Sequence, residues 1–124
     1  MIIQRLPRKA ILSSIVLVGL LFSIAFAAQT GKVVGVTDGD TIKVLLRGKA
    51  VKIRLNGIDC PERKQPFGRK ARIFTSELVA GKVVKVEKVD TDRYGRMVAN
   101  VYLPEGRMLN QELVRAGLAW WYRR

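Results

Sequence analysis

From Lys32 onward, short runs of β-branched and apolar residues alternate with turn signals, a pattern that predicts strands rather than long helices. Lys32 to Thr37 reads as a first strand, Asp38-Gly39-Asp40 as a turn and Thr41 to Leu46 as a second strand. Arg47-Gly48-Lys49 is a tight connection into a third strand, Ala50 to Asn56, where Val51, Ile53 and Leu55 face one way and Lys52, Arg54 and Asn56 the other. The period changes after the turn Gly57-Ile58-Asp59-Cys60-Pro61-Glu62. Ala71, Phe74, Thr75 and Leu78 then recur at helical spacing within Phe67 to Ala80, and Gly81 supplies a stop.

Lys82 to Val89 returns to strand character, Asp90 to Gly95 is a polar turn, and Arg96 to Leu103 gives a fifth strand. Asn110 is placed to cap a second helix, with Glu112 in its first turn and Gly117 as its stop. Three strands, a helix, two strands and a helix make an α+β chain that is mainly β. This is the layout of a five-stranded OB-type barrel with a helix between strands three and four, a fold whose surface often binds oligonucleotides.

The first 27 residues follow a different rule. Arg5, Arg8 and Lys9 precede an apolar stretch from Ile11 to Phe26, and Ala25-Phe26-Ala27 has the small-x-small pattern of a signal cleavage site. An export signal over residues 1–27 is the expected reading, leaving a domain over residues 28–124; an uncleaved membrane anchor is the alternative, since the stretch approaches spanning length. The signal carries three cations and no acids, so removing it lowers the net charge from +13 to about +10. Such a charge on a small domain favours a polyanionic partner, although solubility or adhesion to anionic surfaces would need no more. The chain has a single cysteine, so no internal disulfide can support its small core.

The sequence contains no histidine. That excludes Ser-His and Cys-His pairs, imidazole acid/base chemistry and imidazole metal ligands. Any catalysis must use carboxylates, Arg, Lys, Tyr, the thiol or a metal held by oxygen. With Gly48 at the hairpin tip, Asp40 falls opposite Asn56, so the turns holding Asp38, Asp40, Asp59 and Glu62 meet at one end of the sheet. Carboxylates converging without imidazole or thiolate suit a hard cation such as Ca²⁺; taken singly, each turn is ordinary Asp-Gly turn chemistry. Arg54 reaches the same end of the sheet, and Arg96 follows the Asp92-Arg93-Tyr94-Gly95 turn. A guanidinium fork matches two phosphate oxygens, so carboxylates, a cation, two Arg and a spare Glu suit metal-assisted phosphodiester hydrolysis. Cys60 lies between two acids that would raise its pKa, which favours a small packed side chain over a nucleophile. In the tail Trp120-Trp121-Tyr122, one Trp is expected to cover the barrel bottom, and an aromatic here is also suited to stacking on a base.

Four strings, VVGVTDGDTIKV, IRLNGIDCPE, DRYGRMVANVYL and LNQELVRAGLAW, resemble in order and spacing the staphylococcal nuclease (thermonuclease) family, over about Lys32 to Tyr122. The resemblance implies an exported Ca²⁺-dependent endonuclease, acting as a monomer on DNA and RNA, with unpaired regions preferred, and leaving 3′-phosphate ends. It implies Asp40, Asp59 and the backbone carbonyl of Cys60 as calcium ligands, Glu62 as general base, and Arg54 and Arg96 as the phosphate-binding pair. Arg93 and Tyr94 fall where the family contacts a terminal phosphate, and Tyr122 is a further candidate substrate contact. The family's third helix has no counterpart before Arg124. A non-catalytic OB module that binds nucleic acid, and a basic anchored surface protein, are the alternatives; the set Asp40, Arg54, Glu62 and Arg96 speaks against a pure binder.

Overall fold

A computed structural model describes residues 28–122. The expected export signal and its alternative, an anchor, lie outside the described residues. Seven strands and two helices follow in order: β1 Gln29–Asp38, β2 Thr41–Leu46, β3 Lys49–Leu55, β4 Ile58–Asp59, α1 Gly68–Val79, β5 Val83–Thr91, β6 Met97–Tyr102, α2 Leu109–Arg115 and β7 Trp120–Trp121. Five strands close a barrel in the order β1-β2-β3-β6-β5, so the OB-type α+β architecture is the one the pattern predicts. All its pairings are antiparallel except β3 with β6, which is parallel. Closure leaves no unpaired barrel edge, and the inward residues Val33, Ile42, Val44, Ile53, Leu55, Val84, Val86, Ala99 and Val101 fill the interior.

The β2–β3 hairpin turns on two residues, Arg47 and Gly48, both with positive φ (48° and 77°). This is the backbone that right-twisted strands prefer at a two-residue turn. It pairs Leu46 with Lys49 and Thr41 with Arg54. The register therefore differs by one residue from that expected with Gly48 alone at the tip: the Leu55 amide, not that of Asn56, donates to the Asp40 carbonyl at 2.9 Å.

Helix α1 packs on β1 through Ala71, Thr75 and Val79, which are fully buried, and Gly81 (φ 73°) reverses the chain after it. At α2 the structure corrects one expectation. The residue at the N-cap position is Met108, and it makes no side-chain cap bond. Asn110 lies inside the helix and is fully buried. Its amide donates to the carbonyls of Asn56 (3.0 Å) and Ala99 (3.3 Å), and its side-chain oxygen accepts from the Val101 amide (3.1 Å). A single side chain thus satisfies backbone groups of β6 and of the β3–β4 turn, a tertiary demand that outweighs local capping.

The pair β4–β7 has no counterpart in the sequence pattern. Ile58 pairs with Trp121 and Asp59 with Trp120. It draws the chain after α2 back beside the acidic turn. No helix among the described residues is long and apolar enough to cross a membrane.

Candidate active site

The β1–β2 turn is fixed before its carboxylate is used. Thr75 of α1 donates to the Gly39 carbonyl at 2.6 Å, and a Cβ on Gly39 would stand 2.8 Å from Ala71 Cβ and 3.0 Å from Cys60 Sγ. Only glycine fits between helix and turn at that separation. Asp40 follows, 7 % exposed, with one oxygen accepting from Thr41 Oγ1 (3.0 Å) and the other from the Cys60 amide (2.8 Å). A buried carboxylate needs such donors, and the one from Cys60 ties the β1–β2 turn to the segment after β4.

Arg54 completes the tie. Its guanidinium reaches Asp40 Oδ2 at 3.2 Å through Nη1, binds Asp59 Oδ1 through Nη2, and donates to the Leu55 carbonyl at 3.3 Å. Its side chain is 12 % exposed, against 48 % for Asp59, so the Asp40 pair is sheltered and the Asp59 pair is half in water. One guanidinium bridges two acids, so the three groups together keep about one negative charge beside the adjoining cleft.

That cleft, about 410 Å³, is lined by Asp38, Asp40, Thr41, Arg54, Asp59, Cys60, Pro61, Glu62, Gln65, Arg96 and Trp120. All four candidate carboxylates and both candidate phosphate-binding arginines therefore share one recess. Glu62 is exposed to solvent at its mouth. Its backbone is held on both sides, the Glu62 amide donating to Gln65 Oε1 (2.7 Å) and the Gln65 amide to the Glu62 carbonyl (2.8 Å). The start of α1 closes over this loop so tightly that a Cβ on Gly68 would lie 1.8 Å from the Glu62 carbonyl oxygen.

Arg96 is positioned by Asp92. The carboxylate accepts from the amides of Tyr94 and Arg96, both at 2.9 Å, and from Arg96 Nε at 2.7 Å. Desolvation alone would push the Asp92 carboxyl up, yet these bonds from Arg96 and Tyr94 outweigh it and hold the group below its ordinary value. A second recess, also about 410 Å³, adjoins the first and is lined by Arg54, Thr91, Asp92, Arg93, Tyr94, Arg96 and Tyr122. Arg93 donates to the Tyr94 hydroxyl at 2.7 Å, and the Arg93 and Arg96 guanidinium carbons lie 4.9 and 5.5 Å from the Tyr94 ring centroid. Arg54 and Arg96 are thus shared walls, with the carboxylates on one side and Arg93, Tyr94 and Tyr122 on the other.

Burial first, then the charges of Asp40, Asp59 and Asp38 acting against that of Arg54, push the Cys60 thiol up to about 12. The thiol is protonated and buried at neutral pH, which removes it as a nucleophile. The aromatic tail departs from expectation. Neither tryptophan is covered, Trp120 being 52 % and Trp121 55 % exposed, because the β4–β7 pairing runs along the surface. Trp120 turns its ring to the acidic cleft, while Trp121 passes over Gly57, where an added Cβ would stand 3.4 Å from the ring.

Sequence reasoning passed over Asp92 and Gln65, which hold Arg96 and the Glu62 backbone. Asp92 stands four residues before Arg96, a spacing that signals a side-chain bond across a tight turn. Gln65 carried no such signal. Among the described residues no three side chains of His, Cys, Asp or Glu gather closely enough to hold a metal by themselves. A cation here would rest on the carboxylates of Asp40 and Asp59, backbone oxygen and water. That all-oxygen set fits Ca²⁺, which takes six to eight such ligands, several from water, and suits no softer metal.

OB-type barrels as a class often bind oligonucleotides or oligosaccharides on their surface, and here that barrel carries an arginine-bridged carboxylate cleft. Residues 52–124 match the family model described as staphylococcal nuclease homologue, and the chain belongs to that family. It is 54 % identical over 92 residues to a protein of Escherichia coli O157:H7 named "Uncharacterized endonuclease", covering 74 % of this chain and 60 % of that one. A protein of the same name from Haemophilus influenzae is 39 % identical over 118 residues, 94 % of this chain and 66 % of its own length. The "Thermonuclease" of Staphylococcus hyicus is 41 % identical over 99 residues, 73 % of this chain and 58 % of that one. The chain thus spans about 60 % of the length of the first of these relatives.

Proposed function

We propose that this chain is an exported, monomeric, calcium-dependent nuclease that hydrolyses phosphodiester bonds of DNA and RNA and leaves 3′-phosphate ends. The observation that carries the reading is the gathering of Glu62, Arg54, Arg96, Asp40 and Asp59 around one open recess. Family membership and relatives named endonuclease and thermonuclease support it.

In this reading Asp40, Asp59 and the Cys60 carbonyl would hold Ca²⁺, which when bound would supply positive charge beside the phosphoryl oxygens. Glu62, with no histidine to compete, accepts a proton from water as the water oxygen bonds to phosphorus. The bond from phosphorus to the 5′ oxygen breaks, that oxygen gains a proton from solvent and departs as the 5′ hydroxyl, and the phosphate stays on the 3′ side. Arg54 and Arg96 offset the negative charge that gathers on the equatorial oxygens, each held in place beforehand by its carboxylate. Arg93, Tyr94 and Tyr122 contact the neighbouring phosphate from the second recess. Contacts to phosphate rather than base edges make cleavage tolerant of sequence and sensitive to salt.

The test is cleavage of single-stranded DNA and of RNA by the full chain across a calcium titration, with end-group analysis of the products. The reading expects 3′-phosphate ends and activity abolished by chelator. Binding of both substrates by folded protein without cleavage at any calcium concentration would overturn it.

A further inference from the structure

Residues 63–72 contain five cations, Arg63, Lys64, Arg69, Lys70 and Arg72, and no acid. Arg54, Arg96, Arg107 and Arg115 all have carboxylate partners within 4 Å. None of these five has one among the described residues. All but Arg72 are exposed. In the middle of the run stands Phe67, 67 % exposed, with its backbone in the left-handed region at φ 64°. It occupies the N-cap position of α1 and makes no side-chain cap bond there.

Each of these features costs the free protein something. A bulky residue at positive φ is strained, an apolar cap leaves helix amides unsatisfied by a side chain, and an exposed ring gains nothing from water. A strained residue persists where surrounding structure holds it, and here the support is firm. The Gly68 amide donates to the Gln65 carbonyl at 3.0 Å, Gln65 is bonded in both directions to Glu62, and Gly68 packs directly on the Glu62 carbonyl. Phe67 is therefore held out to solvent on the same short loop that positions the candidate base.

We propose that residues 63–72 form a second nucleotide subsite beside the cleft, in which the Phe67 ring stacks an unpaired base and the flanking cations hold adjacent phosphates. The proposal rests on nucleic acid being the ligand and deepens that reading. An aromatic platform among unpaired cations is the combination that grips single strands without reading sequence. A paired base in a duplex has no face to offer, so the subsite selects unpaired regions.

The experiment is fluorescence anisotropy of a labelled twelve-residue oligothymidylate with the full chain, in chelator so that nothing is cut. An oligomer of the same length with abasic sugars is the second probe. Phe67→Gly relieves the backbone strain while removing the ring, so thermal stability is kept or raised while affinity for the oligothymidylate falls about tenfold. Phe67→Trp retains affinity. The wild type distinguishes oligothymidylate from the abasic oligomer and Phe67→Gly loses most of that distinction. Alanine at Arg63, Lys64 and Arg69 together lowers the slope of log affinity against log salt by about 2, at roughly 0.7 per phosphate contact on a single strand. Phe67→Gly binding both probes as the wild type does would overturn the proposal. A wild type that shows these binding differences yet never cleaves in calcium would support the subsite while refuting the nuclease reading.

Discussion

Gly68→Ala separates backbone geometry from helix propensity at the residue that touches the candidate base. In the interior of an exposed helix, alanine is favoured over glycine by about 1 kcal/mol, so propensity alone predicts a neutral or stabilising change. The structure predicts otherwise. The new Cβ would lie 1.8 Å from the Glu62 carbonyl oxygen and 2.6 Å from its carbonyl carbon, and Cβ atoms do not approach other atoms below 3.0 Å, so helix and loop must part by 1.2 Å. Both partners are backbone, and no side-chain rotation relieves the contact. The loop carries Glu62, and a displacement of about 1 Å at a catalytic group costs on the order of 100-fold in rate. The assay is kcat on denatured DNA at saturating calcium, paired with a circular dichroism melt. We expect kcat to fall about 100-fold in protein that still melts cooperatively. A Gly68→Ala protein with wild-type kcat would refute the claim that this contact fixes the base.

Asp92→Asn removes the charge that holds Arg96 while leaving the turn amides an acceptor; we expect kcat/KM to fall about tenfold or more, measured on denatured DNA. Because Asp92 titrates below its ordinary 3.8 when folded, its contribution to stability is present above that pH and lost as pH falls through the folded value. Melting temperatures of wild type and Asp92→Asn should therefore differ near neutrality and converge in stronger acid. Asn110→Ala removes the side-chain partner of the Val101 amide and of the Asn56 carbonyl, while the Ala99 carbonyl keeps the Asn56 amide, and a cost of about 2 kcal/mol is expected in a denaturant titration. At pH 8 a thiol with a pKa of about 12 is ionised to about one part in ten thousand, so iodoacetamide should label Cys60 only on unfolding, and Cys60→Ala should retain cleavage.

The barrel was legible because strand period, turn glycines and the helix between the third and fourth barrel strands are local signals. Val51, Ile53 and Leu55 alternate in the sequence and line up in the wall. The meeting of Asp40 with Asp59 followed from hairpin pairing, and a one-residue error in register did not disturb it because Asp40 in the β1–β2 turn and Asp59 in β4, just past the end of β3, lie at the same sheet end. What stayed hidden was set by contacts far apart in the chain. Asn110 looks like a cap until β6 and the β3–β4 turn are brought against it. Trp120 reaches the cleft only through a two-residue pairing with β4. Gly68 reads as a weak helix start, and its purpose is visible only once the Glu62 carbonyl is seen against it.

The central claim is that Glu62 activates water at a phosphate gripped by Arg54 and Arg96. Single-turnover cleavage of a labelled single-stranded oligonucleotide by Glu62→Gln, in calcium and beside an affinity measurement in chelator, tests it most directly. The account predicts a rate at least about 100-fold below wild type with affinity unchanged, because the amide keeps the shape and cannot accept the proton. Cleavage by Glu62→Gln at the wild-type rate would contradict it.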